Sequence, residues 1–593
     1  MNGPAIAAPI RVANCSGFFG DRLSGAREMV EGGPIDVLTG DWLAELTMLI
    51  LSRIRAKQPG RGFAGTFVAQ MEQVLGTCVD RGIKVVANAG GLDPAGCADA
   101  VQQVADRLGV HPKIAYVDGD DLLPRLTELV GAGALTRFDD GTPGQLGDLD
   151  QYLTANAYLG CWGIVAALAR GADVVITGRV TDAAVVMGPA AWHHGWSRDD
   201  WDPLAGALAA GHLIECSGQV CGGNYSFFDE VPGIERIGFP WAEIAADGSS
   251  VIGKHDGTGG LVSVGTVTSQ LLYEIGGPEY VNPDVTARFT TLALEQLGPD
   301  RVRVSGTRGL PPPSTLKVAM NKLGGYRNHV SVALTGLDVE AKADVVQRTV
   351  WEACPYRPDE FASVTTQLIR HDHTDPATND EATAELRITV KDADERKVGR
   401  AFTNSFTETA LSSIPGLYGL SGSPTPAQPY GVYVPAAVPA DLVPQYVHVD
   451  GTTIEVVSTS PPTGAVAIVE PVAATPPPAG AGPTRRVPLG RLFGARSGDK
   501  GGNANLGVFA RSDTAYAWLR QFLTVERLRE LLPETAPLAV ARHEFANVLA
   551  LNFVIHGLLE EGVAASTRVD AQAKSLGEWL RARHADVPVA LLG

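Results

Sequence analysis

No GxxxxGK[ST] occurs anywhere in the 593 residues, which disfavours a P-loop ATPase. Nor does GxGxxG open the first strand–helix junction. The sequence there reads CSGFFGDRLSGA, and a conventional dinucleotide site is weakly supported without those glycines. A GxSxG elbow of the standard serine esterases is also missing. No apolar run reaches the ~18 residues that a membrane-spanning helix needs. The seven cysteines (Cys15, Cys78, Cys97, Cys161, Cys216, Cys221 and Cys354) form no CxxC pair, which weakens zinc and dithiol readings and fits a reducing compartment. Basic residues are outnumbered, 48 Lys and Arg against 66 Asp and Glu. The net charge of −18 would repel the phosphates of a nucleic acid. The opening MNGPAIAAPIRVANC has no basic segment leading into an apolar core, so no signal peptide is expected and a cytoplasmic location is. No repeat period suggests a solenoid or propeller.

What is present describes a globular chain of several domains, with 45% hydrophobic and 19% charged residues. Residues 10–225 alternate short apolar runs with amphipathic stretches. Strands are expected at 10–15, 35–39, 83–87, 113–117 and 173–177, and helices at 42–57, 65–81, 95–108 and 153–170. Such alternation implies an α/β domain with a mainly parallel sheet covered by helices. Residues 226–459 read as an α+β region. From residue 329 it follows a β-α-β-β-α-β order, the split βαβ arrangement of ferredoxin-like folds. The Pro/Ala-rich stretch 460–487 reads as a linker, and 488–593 as a small α+β domain.

Ligands of open parallel sheets gather at the carboxyl ends of the strands. The loops there carry Asp41, Asn88 and the run Gly178–Asp182, GRVTD. Arg179 has the planar fork that clamps a carboxylate or phosphate, or holds a structural ion pair. Asp182 is an acid–base candidate or a cap for the next helix. The densest polar cluster is GHLIECSGQVCGGNY, Gly211–Tyr225. On a helix, His212 and Glu215 share a face and form an acid–base pair. Cys216 is a nucleophile candidate, although the adjacent carboxylate disfavours its thiolate. Backbone N–H groups at Gly222 and Gly223, with Asn224, are candidates for holding negative charge. A metal at His212, Glu215 and a cysteine matches no strong ligand spacing, and no metal is expected. KHDGTGG offers His255 and Asp256 for proton transfer. His193-His194 and His371-Asp372-His373 read as packing and loop features.

FGARSGDKGGNANLG, Phe493–Gly507, places Arg496, Asp499, Lys500, Asn503 and Asn505 among five glycines. It is either a ligand loop or a hairpin whose polar side chains bond its own backbone.

The opening VANCSGFFGDRLSGAREMVEGGPIDVLTGDWLAE, with VANAGGLDP, ITGRVTDAA, IECSGQVCGGNY and KHDGTGG, resembles the acyclic terpene utilization AtuA family. FGARSGDKGGNANLG and TRVDAQAKSLGEWL resemble the ferredoxin-fold module that follows it in that family. The resemblance implies catabolism of acyclic terpenoid or branched acids through coenzyme A thioesters. The expected function is therefore an enzyme acting on an acyl-CoA or small carboxylic acid by hydration, C–C cleavage or thioester hydrolysis. Asp182, Glu215, His255, Asp256 and Cys216 are its acid–base or nucleophilic candidates. Asp41, Asn88, Arg179, Gly222, Gly223, Asn224, Arg496, Asp499, Lys500 and Asn503 are its binding candidates. No tightly bound cofactor is expected beyond coenzyme A as part of the substrate. Expected partners are a small-molecule substrate and further copies of the chain, with no nucleic acid and no membrane. The alternatives are a scaffold or accessory subunit for a carboxylase or hydratase of the same pathway, and a metal-dependent hydrolase.

Overall fold

The computed structural model describes residues 8–138, 146–420, 425–458 and 482–592. Five parallel strands form the centre of the largest sheet: β1 (Ile10–Asn14), β2 (Val37–Gly40), β3 (Lys84–Ala87), β4 (Ile114–Asp118) and β5 (Val174–Thr177). Their order is β1-β2-β3-β5-β4. Successive residues of each strand face opposite sides, and both sides are buried. Val85 and Val174 point into a core shared with Phe67, Met71 and Val101 of the helices Gly65–Arg81 and Pro94–Leu108. Val86 and Val175 point into the other core, filled by Ile164, Val185 and Leu208 of the helices Trp162–Ala169, Ala184–His194 and Trp201–Ile214.

The sheet does not stop at residue 225. β6 (Pro240–Ile244) pairs antiparallel with β1, β7 (Ser250–Lys254) with β6, and the hairpin of Arg301–Ser305 and Ala293–Gly298 extends that edge. The strands Gln445–Val449 and Thr452–Val456 extend the other edge beyond β4, giving eleven strands. The expected helix over 153–170 is a strand, Tyr152–Ala157, followed by the shorter helix Trp162–Ala169. Gly160 separates the two, and a Cβ there would meet the carboxylate of Asp284, which accepts from the Cys161 N–H. Apolar periodicity alone does not report such a break.

The chain forms two compact units, one of residues 322–432 with 564–569 and one of the remainder. In the smaller, Ser363–Ile369, Thr383–Asp392, Thr315–Thr335 and Gln428–Pro439 lie in the order 2-3-1-4. The helix Val339–Ala353 packs on one face of them. This is the split βαβ arrangement.

The larger unit also contains the C-terminal domain. Its four antiparallel strands run in the order Phe493–Lys500, Asn503–Ala510, Ala550–Ile555, Val540–Phe545. Asn503–Ala510, two helices, and Val540–Phe545 make a split βαβ unit around Ala550–Ile555. The preceding strand, Phe493–Lys500, fills the remaining edge. Of the expected linker, 460–481 lies outside the described residues, and Thr484–Pro488 is a strand paired with His584–Pro588. Among the described residues, no helix is long and apolar enough to cross a membrane.

Candidate functional site

Four of the five parallel strands, β1, β2, β3 and β5, end in or close before a polar residue that is bonded at this end of the sheet. Asn14 at the end of β1 donates to the Glu215 carbonyl (3.0 Å). Asn88, after β3, donates to the Asp41 carboxylate, which follows β2, and accepts from the Trp42 N–H (2.8 Å). Arg179, after β5, is 2% exposed. Its Nη1 donates to Leu43 O (2.9 Å) and to Asp182 (2.8 Å), and its guanidinium lies 4.2 Å from the Tyr158 ring centroid. The backbone N–H of Arg179 is fixed by the buried Asp120 carboxylate (2.9 Å), which also accepts from Asn156 (2.7 Å). Asp182 is not a helix cap: the next helix starts after Ala183, and Asp182 turns to Arg179 instead.

A second shell of charge was not anticipated from sequence. Glu45 accepts from Tyr158 (2.8 Å) and from Lys317 (3.0 Å), 272 residues away. The Lys317 ammonium also lies 5.5 Å from the Tyr433 ring centroid. Glu274 has a left-handed backbone (φ 57).

The Gly-rich hairpin closes over this region. Gly501 (φ 62) makes its turn, and Gly498 allows a close approach, since a Cβ there would sit 2.5 Å from the Tyr273 ring. Asn505 accepts from the Glu274 N–H (2.8 Å), Lys500 donates to the Glu274 carbonyl (2.9 Å), and Arg496 stacks on Tyr273 (4.3 Å) while donating to Gln219. Lys574, from the same domain, reaches Glu274 (3.2 Å), Asp499 (3.3 Å) and the Tyr273 hydroxyl. The Gly-rich segment is thus a hairpin whose polar side chains bond Glu274 and Gln219 as well as its own domain.

Depth separates two layers. Glu45, Asp182, Glu274, Lys317, Asp499 and Lys574 keep 20–37% of their side-chain surface accessible. Arg179, His212 and Glu215 lie beneath, at 1–7%.

Burial and the neighbouring charges together set the protonation pattern. Burial and the neighbouring carboxylates raise Asp41, Asp182 and Glu215 above the usual carboxylate range, with Arg179 acting in the opposite sense. Burial alone would raise Glu45 too, but Lys317 and Arg179 outweigh it and hold Glu45 below that range. Burial and the repulsion of Lys317 lower Lys500. Burial pushes Asp120 up to about 7. Burial, then Glu215, raises the Cys216 thiol, so it rests as a thiol and not as a nucleophilic thiolate.

His212 sits on the last turn of Trp201–Ile214, with Nδ1 3.2 Å from Glu215 Oε1 and Nε2 3.2 Å from the Leu271 carbonyl. Burial lowers it to about 4, so it is neutral at pH 7.

Some expected residues lie elsewhere. His255 is buried against Gly32 and Gly33 and bonds to the Met29 carbonyl (3.0 Å), while Asp256 is exposed beside it. The KHDGTGG loop holds a turn: Lys254 binds Asp300 (3.0 Å) and Thr258 O (2.9 Å). The N–H groups of Gly222 and Gly223 are used internally, on Gln219 O and Gly218 O, so they are not open to an anion. Asn224 is an exposed turn residue with φ 57. Asn503 accepts from the Gly557 N–H and ties two loops of its own domain together. Among the described residues, no three His, Cys, Asp or Glu are grouped to hold a metal ion.

Comparison with known families agrees with this architecture. Residues 10–449 match the model of the acyclic terpene utilisation family protein AtuA, and residues 487–586 match the AtuA ferredoxin-like domain. No curated protein matches the chain.

Proposed function

Given that this chain belongs to the acyclic terpene utilisation family AtuA, we propose that its strand-end cluster is the active site of an enzyme acting on a small carboxylic acid or its coenzyme A thioester. The reaction is acid–base chemistry of the hydratase, lyase or thioesterase type. The observation that carries this reading is the opposed state of the carboxylates. Glu45 is held ionised against Lys317, whereas Asp182 and Glu215 are raised toward their acid forms within the same cluster. Titratable groups pushed apart by their surroundings are the arrangement that lets one site both give and take protons near neutral pH. Lys317, Lys500 and Lys574 supply cations for a carboxylate or for an oxyanion formed during reaction. Arg179, below them, orients Asp182.

A thermal-shift titration tests the reading, because a ligand that binds only the folded state raises its midpoint. 3-Methylbutyrate and its coenzyme A thioester are expected to raise the midpoint of the wild type and of the Asp256→Ala control. Neither should do so in Glu45→Gln/Lys317→Met, which removes both charges together and leaves no bare ion. Unchanged stabilisation of the double variant, or no stabilisation of the wild type by either compound, would refute the assignment.

A further inference from the structure

The hydrogen bonds of His212 fix where the protons are. The Leu271 carbonyl can only accept, so His212 Nε2 carries a hydrogen. In a neutral imidazole, Nδ1 is then an acceptor, and the proton in the 3.2 Å contact must come from Glu215 Oε1. The other oxygen, Oε2, is buried and has no partner among the described residues. The other titratable and charged side chains around Glu215 are Asp41, Asp182, Glu274, Cys216, Tyr280, Arg179 and Lys500, and none of them donates a hydrogen bond to Oε2. Neither cation donates to it. Arg179 Nη1 is taken by Leu43 O and Asp182, and Lys500 binds the Glu274 carbonyl. An ionised Glu215 would leave a bare carboxylate oxygen without a donor among three other carboxylates, which is far more costly than a neutral carbonyl oxygen lacking one hydrogen bond.

We propose that Glu215 stands in the site as a neutral carboxyl, its Oε1–H donating a hydrogen bond to His212 and its buried, unpartnered Oε2 the acceptor for a hydroxyl of the ligand, so that the substrate is a hydroxy acid or hydroxyacyl thioester. This rests on the acid-binding reading above and narrows it. The usual order of a His–carboxylate pair is reversed: the carboxyl meets the ligand, and the imidazole lies behind it. When the ligand hydroxyl is deprotonated, its proton passes to Oε2 while the proton on Oε1 passes to His212 Nδ1. An alkoxide and an imidazolium result, and no proton is lost. Lys500, whose charge acts on Glu215, is the cation available to stabilise the alkoxide. Glu215 is the catalytic residue of this step, and His212, which is 1% exposed, acts through it.

The test compares 3-hydroxy-3-methylbutyrate with 3-methylbutyrate, which differ only in the hydroxyl. Calorimetric titration of the full chain should show the hydroxy acid binding about tenfold tighter, the effect of satisfying one buried acceptor. Glutamine has the shape of a neutral Glu, its amide able to donate to His212 and its carbonyl able to face the ligand. Glu215→Gln is therefore expected to keep the tenfold preference and Glu215→Leu to lose it. Without any ligand, the infrared difference spectrum of wild type minus Glu215→Gln at pH 7 should contain a protonated-carboxyl band. Equal binding of the two acids, loss of the preference in Glu215→Gln, or a carboxylate band in place of the carboxyl band would each overturn the proposal while leaving the acid-binding reading standing. Failure of both acids to bind would overturn the two together.

Discussion

Replacing Asp120 by Asn should stabilise the protein, and increasingly so as the pH rises to about 7. Asp120 is 2% exposed, and its Oδ2 accepts from Asn156 (2.7 Å) and from the Arg179 N–H (2.9 Å). Those two bonds favour the charged form, but burial outweighs them and moves the group from 3.8 to about 7. Because the folded value is the higher one, the stability Asp120 contributes is complete below about pH 4 and is lost as the pH climbs through 7. The gap between 3.8 and about 7, at about 1.36 kcal/mol for each pH unit, amounts to about 4 kcal/mol by pH 8.5. Asparagine can present its carbonyl oxygen to the same two donors and has nothing to ionise. Any fixed cost of the amide appears equally at every pH, so the reading is the slope of the difference between variant and wild type. At about 2.1 cal/mol/K of unfolding entropy per residue, a unit of several hundred residues gains about 4 °C from about 4 kcal/mol. The assay is the thermal midpoint of both proteins by circular dichroism from pH 5 to 8.5, with the difference expected to widen in favour of Asn up to about pH 7 and to level off above it. A difference that stays flat with pH would refute the burial argument for Asp120, and with it the account of how the end of β5 is held.

His212 should act in the opposite direction. Its value falls from 6.5 to about 4 on folding, so the stability it contributes is present above pH 6.5 and is lost as the pH falls through 4, about 3 kcal/mol in all. A 15N spectrum of labelled protein should show the Nε2–H tautomer of His212 persisting at pH 5.5, and an imidazolium signal there would contradict the assignment. Asn505→Leu should destabilise by about 2–4 kcal/mol, because it leaves the part-buried Glu274 N–H and the buried Asn552 amide oxygen unpaired. Denaturant melts would check this, and a loss under about 0.5 kcal/mol would show that Asn505 does not hold Glu274.

The parts of this fold that were legible in sequence are those set by local pattern. The five parallel strands fall within a residue or two of their expected positions, because each is a short apolar run between a helical period and a polar loop. The pairing of His212 with Glu215 followed from their spacing on a helix, and the strand-end placement of Asp41, Asn88, Arg179 and Asp182 from the rule for parallel sheets. The failures have a shared cause. Glu45 looked like an ordinary first-turn acid, and Lys317 sits in an unremarkable β-run, TLKVAMNK. Their ion pair exists only because strand and helix meet across 272 residues. Conversely, KHDGTGG has a composition suited to catalysis but spends its polar groups on a turn, and no local rule separates those two uses. Lys574 lies within a segment that resembles the family module, yet its spacing gives no hint that it reaches Glu274 and Asp499.

The placement of Lys574, Lys500 and Asn505 bears on why the two family regions occur in one chain. The first region alone would present Asp41, Asp182, Glu215 and Glu274 to one another with Arg179, which is already committed to Leu43 and Asp182, as the cation beneath them. Like charges that close raise one another and resist ionising together. The C-terminal domain adds Lys500 and Lys574 and fixes the left-handed Glu274 through Asn505. Lys500 and Arg179 are the two groups that act to lower Glu215, and one comes from each region. Glu45 is thus held down by Lys317 and Arg179 of the first region, whereas the rise of Glu215 comes from burial and first-region carboxylates and is opposed by one cation from each region, within a chain whose overall charge of −18 gives no sign of it.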